Sequence, residues 1–218
     1  MIKAIIFDMD GLLINSEPVW FRAKEELLKE IDYKWTWEDQ KNSMGVSTET
    51  WVNYVHNLVD QKLTKEEVLL GVTDRMKQYY RNGEIELMPG ANKALEYAKN
   101  NFKVGLASGS YKDLLYGAVE SNKWEDIFDE ILSSDDLERG KPDPDVYLQV
   151  MKKLNVLPSE SVVLEDSRDG IKAGVAAGAV VIAVPSKDVP VPQDVLDTAS
   201  YIIDSLEEFP KVMAQLKT

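Results

Sequence analysis

The chain has 218 residues, 44% of them hydrophobic, enough for one large domain or a medium domain carrying a smaller one, with a real core in either case. Its 38 acidic residues against 25 Lys and Arg leave a formal net charge of −13, which repels nucleic-acid backbones and anionic lipid surfaces and argues against both as partners. The absence of Cys excludes a disulfide scaffold, a thiolate metal site and a thiol nucleophile, and the single histidine, His56, excludes histidine triads and His-rich zinc sites.

In chain order, residues 2 and 4–7 form a short β-rich apolar run that stops at Asp8-Met9-Asp10-Gly11, which reads as a strand followed by a turn. Similar runs recur at 102–107, 131–132, 162–164 and 179–184, with a weaker one at 201–203. Helix-like segments at 91–100, 112–122, 144–154 and 168–177 stand among them. Strands apolar on both faces that alternate with helices predict an α/β core built on a parallel sheet. The interval from Asp8 to Phe102 is far longer than the roughly dozen residues that a crossover between parallel strands needs. Within it, residues 18–31, 48–59 and 65–80 carry apolar residues at helical spacing. The expected division is therefore an α/β core, 1–14 and 86–218, with a small helical domain, 15–85, inserted into it; the turn signal Met88-Pro89-Gly90 marks the return. The tail, 207–218, is expected to be a closing helix. No secretory leader is expected, because Asp8 and Asp10 interrupt the opening apolar run, and the longest apolar run, 175–184, falls well short of the roughly 20 residues that cross a bilayer. A cytoplasmic protein is expected, and a monomer.

Four places along the core carry candidate chemistry. Side chains two apart on a strand point the same way, so Asp8 and Asp10 would project together beyond the end of the first strand. In isolation this is equally a turn with Asp before Gly11, but the carboxyl edge of an open α/β sheet is where ligands bind. Ser108-Gly109-Ser110 ends the second strand: Ser110 can cap the next helix, while the Ser108 hydroxyl and the Gly109 N–H suit an anion. In Gly140-Lys141-Pro142-Asp143-Pro144, Asp143 is expected as N-cap and Pro144 as first helical residue, with the two prolines holding Lys141 as a positioned charge rather than a solvated loop lysine. Glu165-Asp166-Ser167 follows the fourth strand, with Ser167 as cap; its acids could favour the helix dipole or bind a metal. Gly170, Gly174 and Gly178 are read as close packing of that helix on the sheet. One edge would thus gather carboxylates, a hydroxyl, an N–H and a lysine. Hard oxygen ligands without Cys or clustered His suit Mg²⁺.

Together these residues resemble the haloacid dehalogenase (HAD) superfamily: Asp8-Met9-Asp10-Gly11, Ser108-Gly109, Lys141-Pro142 and Glu165-Asp166 look like its four motifs, in order. The stretch from Asp10 to Trp20 is similar to the branch containing β-phosphoglucomutase and 2-deoxyglucose-6-phosphate or hexitol-phosphate phosphatases. The resemblance implies a Rossmann-like, doubly wound parallel sheet with an all-helical cap. It implies Asp8 as nucleophile and Asp10 as general acid and base. It implies Mg²⁺ on the Asp8 carboxylate, the Asp10 backbone carbonyl and Asp166, with Glu165 supporting, and Ser108, Gly109 and Lys141 as the phosphate holders. Glu17, Trp20 and Gly45 are the expected cap contacts to the substrate, a small phosphorylated sugar or polyol.

The departures favour hydrolysis. Mutases of this branch flank the Gly-Val-Ser corresponding to Gly45-Val46-Ser47 with Lys and Arg, where this chain has Met44 and Thr48, and they place a His where Trp20 stands. Loss of a bidentate Arg removes the natural partner for a second phosphate. Asn15 stands where many relatives have Asp. Of the four tryptophans in the insert, Trp20 is the candidate for sugar contact, and Trp35, Trp37 and Trp51 are expected in the core. A mutase, a receiver-like signalling module and an inactive binding protein are the alternatives.

Overall fold

The computed structural model describes residues 1–44, 46–186 and 189–216. Six strands, β1 (Ala4–Phe7), β2 (Lys103–Ser108), β3 (Glu130–Ser133), β4 (Ser161–Glu165), β5 (Val180–Ala183) and β6 (Tyr201–Ile202), form one sheet in the order β3-β2-β1-β4-β5-β6, every neighbouring pair parallel. The winding direction reverses between β2-β1 and β1-β4, so the crevice of a doubly wound sheet opens at the carboxyl end of β1. Phe7 is in register with Leu106 on one side and Leu164 on the other. The residues just after them therefore reach one edge together.

Side-chain alternation builds a core on each face. Ile5, Phe7, Val104, Leu106, Val162 and Leu164 belong to one apolar cluster, with Leu95 of α5 (Ala91–Asn101) and Leu115 of α6 (Lys112–Ser121). Ala4, Ile6 and Val163 belong to the other, with Val150 of α7 (Asp145–Leu154) and Ile171 of α8 (Arg168–Ala176). Strands buried on both faces explain the continuous apolar runs.

The inserted region is helical: α1 (Glu17–Lys29), α2 (Trp37–Asn42), α3 (Thr48–Leu58) and α4 (Lys65–Arg81). Thr36 with Asp39 and Thr64 with Glu67 form capping boxes at the starts of α2 and α4, and the Ser47 hydroxyl accepts from Thr50 N–H at α3. Helix α4 packs on α1 and α3 and, in the core, on α6. Two chain segments cross side by side between the parts: Ile14 bridges Leu87, and Asn15 N–H donates to Glu86 C=O at 2.8 Å. Helices α9 (Gln193–Leu196) and α10 (Phe209–Leu216) complete the core. Among the described residues, no helix is long and apolar enough to cross a membrane.

Several local expectations need correction. Helices α2 and α9 are absent from the sequence reading, being too short for apolar periodicity to register. The tail begins as a 3₁₀ turn, Leu206–Glu208, before α10, and its last two residues lie outside those described. Ser110 does not cap α6, which opens at Tyr111, because its hydroxyl is drawn to Asp10. Asp143 does not cap α7; Pro144 holds that position, and Asp143 pairs with Arg139 instead. Trp37 is 54% exposed rather than core, stacked on Phe21 at 4.4 Å, while Trp35 and Trp51 are buried as expected. Of the three spaced glycines, Gly174 packs on the sheet against Val163 and Val181, but Gly178 is the left-handed residue that follows α8, and Gly170 packs on a carboxylate.

Candidate active site

Each candidate site residue of the core leaves the carboxyl edge of the sheet. Asp8 follows β1 directly, its N–H still donating to Leu164 C=O at 3.1 Å, and its carboxylate is buried. Gly11 turns the chain back at φ +79°, and a Cβ there would lie 2.2 Å from Asp166 Oδ2, so the turn closes directly over that carboxylate. Lys141 arrives from the loop before α7, behind which its peptide to Pro142 is cis. Its Nζ donates to Asp8 Oδ1 at 2.5 Å, Glu165 Oε1 at 2.6 Å and Ala107 C=O at 3.1 Å.

Glu165 is fully buried and accepts from five donors. Tyr147 Oη (2.5 Å) and Lys141 reach Oε1; Asp166 N–H (3.1 Å), Ser167 N–H (3.3 Å) and Ser167 Oγ (3.0 Å) reach Oε2. A carboxylate so committed is fixed in place and anchors the lysine. Ser167 caps α8 as expected, accepting from Gly170 N–H at 3.1 Å.

Asp10 is half-buried and held differently. Its Oδ1 accepts from Ser16 Oγ at 2.5 Å, and its Oδ2 accepts from Ser110 Oγ at 2.6 Å and more distantly from Ser108 Oγ at 3.4 Å. Ser108 Oγ in turn accepts from Ser110 N–H at 2.9 Å. Gly109 occupies the same loop with space beside it: the nearest atom to a Cβ there is Ser134 Oγ at 3.8 Å.

The electrostatics define what the site lacks. One ligand oxygen each from Asp8, Glu165 and Asp166 lie within 4.8 Å of one another, all buried. Three carboxylates against one ammonium leave two negative charges uncompensated in a low-dielectric place. Burial above all, helped by the charges of Glu165 and Asp10 and opposed by Lys141, pushes the Asp8 carboxyl up to about 8. Asp166 is driven well above the ordinary carboxyl range by burial, then by Glu165 and Asp8. Burial works against the Lys141 charge, but Asp8 and Glu165 overcome it and hold the ammonium well above its usual value. The cluster therefore fits a divalent cation: hard oxygen donors, a deficit of two positive charges, and carboxylates that hold protons when nothing else neutralises them.

The sequence-derived candidates Asp8, Asp10, Ser108, Lys141, Glu165 and Asp166 thus meet at one edge, with Gly109 in the adjoining loop. In the inserted region, Glu17 Oε2 accepts from Gln40 Nε2 at 2.8 Å, and Trp20 is buried edge-on against Trp51 at 5.7 Å. Gly45 lies outside the described residues. Ser16 and Tyr147 are the partners that sequence reasoning missed. Ser16 could have been suspected from its place before the Glu17-Pro18 helix start, whereas nothing local marks Tyr147. His56, read as structural or solvated, is part-buried with Nδ1 2.7 Å from Leu63 C=O.

Comparison with known proteins agrees with this arrangement. A family model described as haloacid dehalogenase-like hydrolase matches residues 5–184. A phosphorylated carbohydrates phosphatase of Thermotoga maritima is 30% identical over 177 residues, covering 81% of this chain and 82% of the relative. Hexitol phosphatase B of Escherichia coli is 33% identical over 191 residues, covering 86% and 85%. The crystal structure of CbbY from Rhodobacter sphaeroides in complex with phosphate superposes with a TM-score of 0.85 at 25% identity, covering 96% of each chain. The chain belongs to the haloacid dehalogenase-like hydrolases, as a phosphatase of the branch related to β-phosphoglucomutase, hexitol phosphatase and sugar-phosphate phosphatases.

Proposed function

We propose that this phosphatase is Mg²⁺-dependent and hydrolyses a small sugar or polyol monophosphate in two displacements through Asp8. The observation that carries the reading is the meeting of Asp8, Lys141 and Asp166 at one buried edge beside Asp10. Asp8 attacks phosphorus while Asp10 gives its proton to the departing sugar oxygen; Asp10 then takes a proton from the water that attacks the aspartyl phosphate and restores Asp8. Lys141, already on Asp8, together with the Ser108 hydroxyl and the Gly109 N–H, holds the phosphate oxygens and offsets their charge. The Asp8 and Asp166 carboxylates and the Asp10 backbone carbonyl would hold the cation, which when bound supplies the remaining neutralisation that lets one anion attack another.

Ser16 and Ser110 each fix one oxygen of Asp10, one from the entrance of the inserted region and one from the core. Residues 15–85 would serve as a cap over the site, with the paired crossings at Ile14–Leu87 and Asn15–Glu86 as its hinge and water excluded on closure. The names of the two phosphatase relatives support the substrate class. Met44 and Thr48, where the mutases carry Lys and Arg, favour hydrolysis over transfer between sugar positions. The test is inorganic phosphate release from a panel of phosphorylated hexoses, pentoses, hexitols, glycerol phosphate and phosphoglycolate, with and without Mg²⁺. Release is expected only with Mg²⁺ and is expected to vanish in Asp8→Asn. Activity surviving that substitution, or isomerised sugar phosphate exceeding free phosphate, overturns the reading.

A further inference from the structure

One buried ammonium takes no part in the phosphoryl chemistry. Lys24, on α1, is 2% exposed; its Nζ donates to Ser43 Oγ at 2.8 Å and to Gln40 Oε1 at 3.4 Å. The faces of three indoles surround it, with the ring centroids of Trp20, Trp35 and Trp51 at 5.4 to 5.5 Å. Gln40 is fully engaged as well: Oε1 also accepts from Trp35 Nε1 at 3.1 Å, and Nε2 donates to Glu17 Oε2 at 2.8 Å. Burial lowers Lys24 to about 8, and the Glu17 carboxylate pulls it back up, so the two charges act on one another.

Placing a lysine where burial opposes its charge calls for a reason, and methionine would fill such an aromatic box without that conflict. The reason lies at the other end of the network. Glu17 opens α1 one residue beyond Ser16, whose hydroxyl donates to Asp10. Glu17 and Lys24 are seven residues apart, two turns along one helix face. A continuous set of polar groups therefore runs from the Asp10 site to the interior of the inserted region.

We propose that Lys24 is a positioning residue for substrate selection: through Gln40 it fixes the Glu17 carboxylate at the mouth of the Asp10 site, where that carboxylate accepts from hydroxyls on the non-reacting end of the substrate and turns away substrates that carry a second phosphate or a carboxylate there. A carboxylate is an acceptor only, suited to hydroxyl donors, and a like charge placed against it is strongly disfavoured. With almost no exposed surface, its Nζ donating to Ser43 and Gln40 and its charge set against that of Glu17, the Lys24 ammonium offers no ion pair to a second anionic group. The inference rests on the phosphatase reading above and narrows its substrate class to monophosphates with an uncharged, hydroxylated end.

The test compares steady-state phosphate release from sorbitol 6-phosphate, fructose 1,6-bisphosphate and 6-phosphogluconate by the full chain with Mg²⁺. The wild type is expected to favour the hexitol phosphate in kcat/KM by at least about a hundredfold. Glu17→Gln is expected to narrow that ratio about tenfold. Lys24→Met is expected to raise KM for the hexitol phosphate about tenfold with kcat within about twofold, a split that general loss of structure does not produce. Equal or better use of the bisphosphate or the acid by the wild type overturns the inference, as does an unchanged ratio in Glu17→Gln, and neither result depends on Lys24→Met folding. Phosphate release from no phosphomonoester at all instead removes the phosphatase reading, and the inference with it.

Discussion

Replacing Gly170 with alanine should invert the usual outcome of that substitution. Within a helix, alanine is ordinarily favoured over glycine by about 1 kcal/mol. At Gly170 of α8, however, a Cβ would stand 1.8 Å from Glu165 Oε1, 1.9 Å from its carboxyl carbon and 2.1 Å from Oε2. Atoms in contact sit about 3.5 Å apart, so the carboxylate must retreat by about 1.5 Å. It cannot do so and keep the hydrogen bonds from Tyr147 at 2.5 Å and Lys141 at 2.6 Å. Hydrogen bonds to a charged group contribute about 1.5–3 kcal/mol each, so losing two of them outweighs the helix preference and leaves a net loss of about 2–5 kcal/mol. For a chain of this length each kcal/mol moves Tm by about 2–4 °C, which makes the expected drop of order 10 °C.

The same retreat withdraws the anchor from Lys141 and hence disturbs its contact with Asp8, so phosphate release should fall along with Tm. Gly117→Ala is the control. It lies inside α6 with nothing within 4 Å of the added carbon, and should stabilise by up to about 1 kcal/mol with activity unchanged. Thermal denaturation and steady-state phosphate release on both variants decide the matter. If Gly170→Ala is as stable and active as the wild type, Glu165 is not fixed beneath α8, and the account of how Lys141 is held fails.

Lys141→Met should cost about 3–5 kcal/mol in urea denaturation at neutral pH, because it leaves buried carboxylates without their counter-charge, and phosphate release should drop at least about a hundredfold; a stable, active variant would contradict the charge balance described. The metal-free protein should also lose stability as pH rises. The Asp8 carboxyl is raised in the folded state from 3.8 to about 8, so the folded chain binds a proton there that the unfolded chain has released between those values, and that stabilisation is complete below about 4 and gone above about 8. Asp166 shifts in the same direction, and Lys141 stays protonated throughout the window. Saturating Mg²⁺ should raise Tm and flatten this dependence, which calorimetry across pH 4–8 with and without EDTA would show; a pH dependence unaltered by the cation would refute the assignment.

How much of this was legible in the sequence depends on whether a residue's role is set by its own strand or by a distant partner. Strands buried on both faces announce themselves as apolar runs, so the parallel sheet and the strand-end positions of Asp8, Ser108 and Glu165 followed from local pattern. Lys141 was marked by the prolines around it. Tyr147 and Ser16 were not, because their roles come from side chains 18 and 6 residues away that only the folded chain brings near. The failed caps have the same origin. Ser110 and Asp143 have the right chemistry for an N-cap, but each finds a stronger partner, the Asp10 carboxylate in one case and the Arg139 guanidinium in the other. Lys24 was invisible for the opposite reason: a lysine in an amphipathic helix reads as solvent-facing until three indoles and an amide are seen to enclose it.

The adjacent acids Glu165 and Asp166 show why neither level of description suffices alone. As neighbours in sequence they are interchangeable, and either could bind a metal or favour a helix N-terminus. The end of β4 turns them different ways, and two glycines far apart in sequence decide what each can do. Gly170 leaves room beneath α8 for the Glu165 carboxylate, which then takes five donors and serves as the fixed partner behind Lys141. Gly11 leaves room over the Asp166 carboxylate, which stays with Asp8 in the cluster that needs a cation. Exchanging the two residues would put a longer side chain under Gly11 and a shorter one under Gly170. The order Glu then Asp is therefore a requirement of the packing: the longer carboxylate reaches the lysine and tyrosine, and the shorter one stays beside Asp8 at the edge of the sheet.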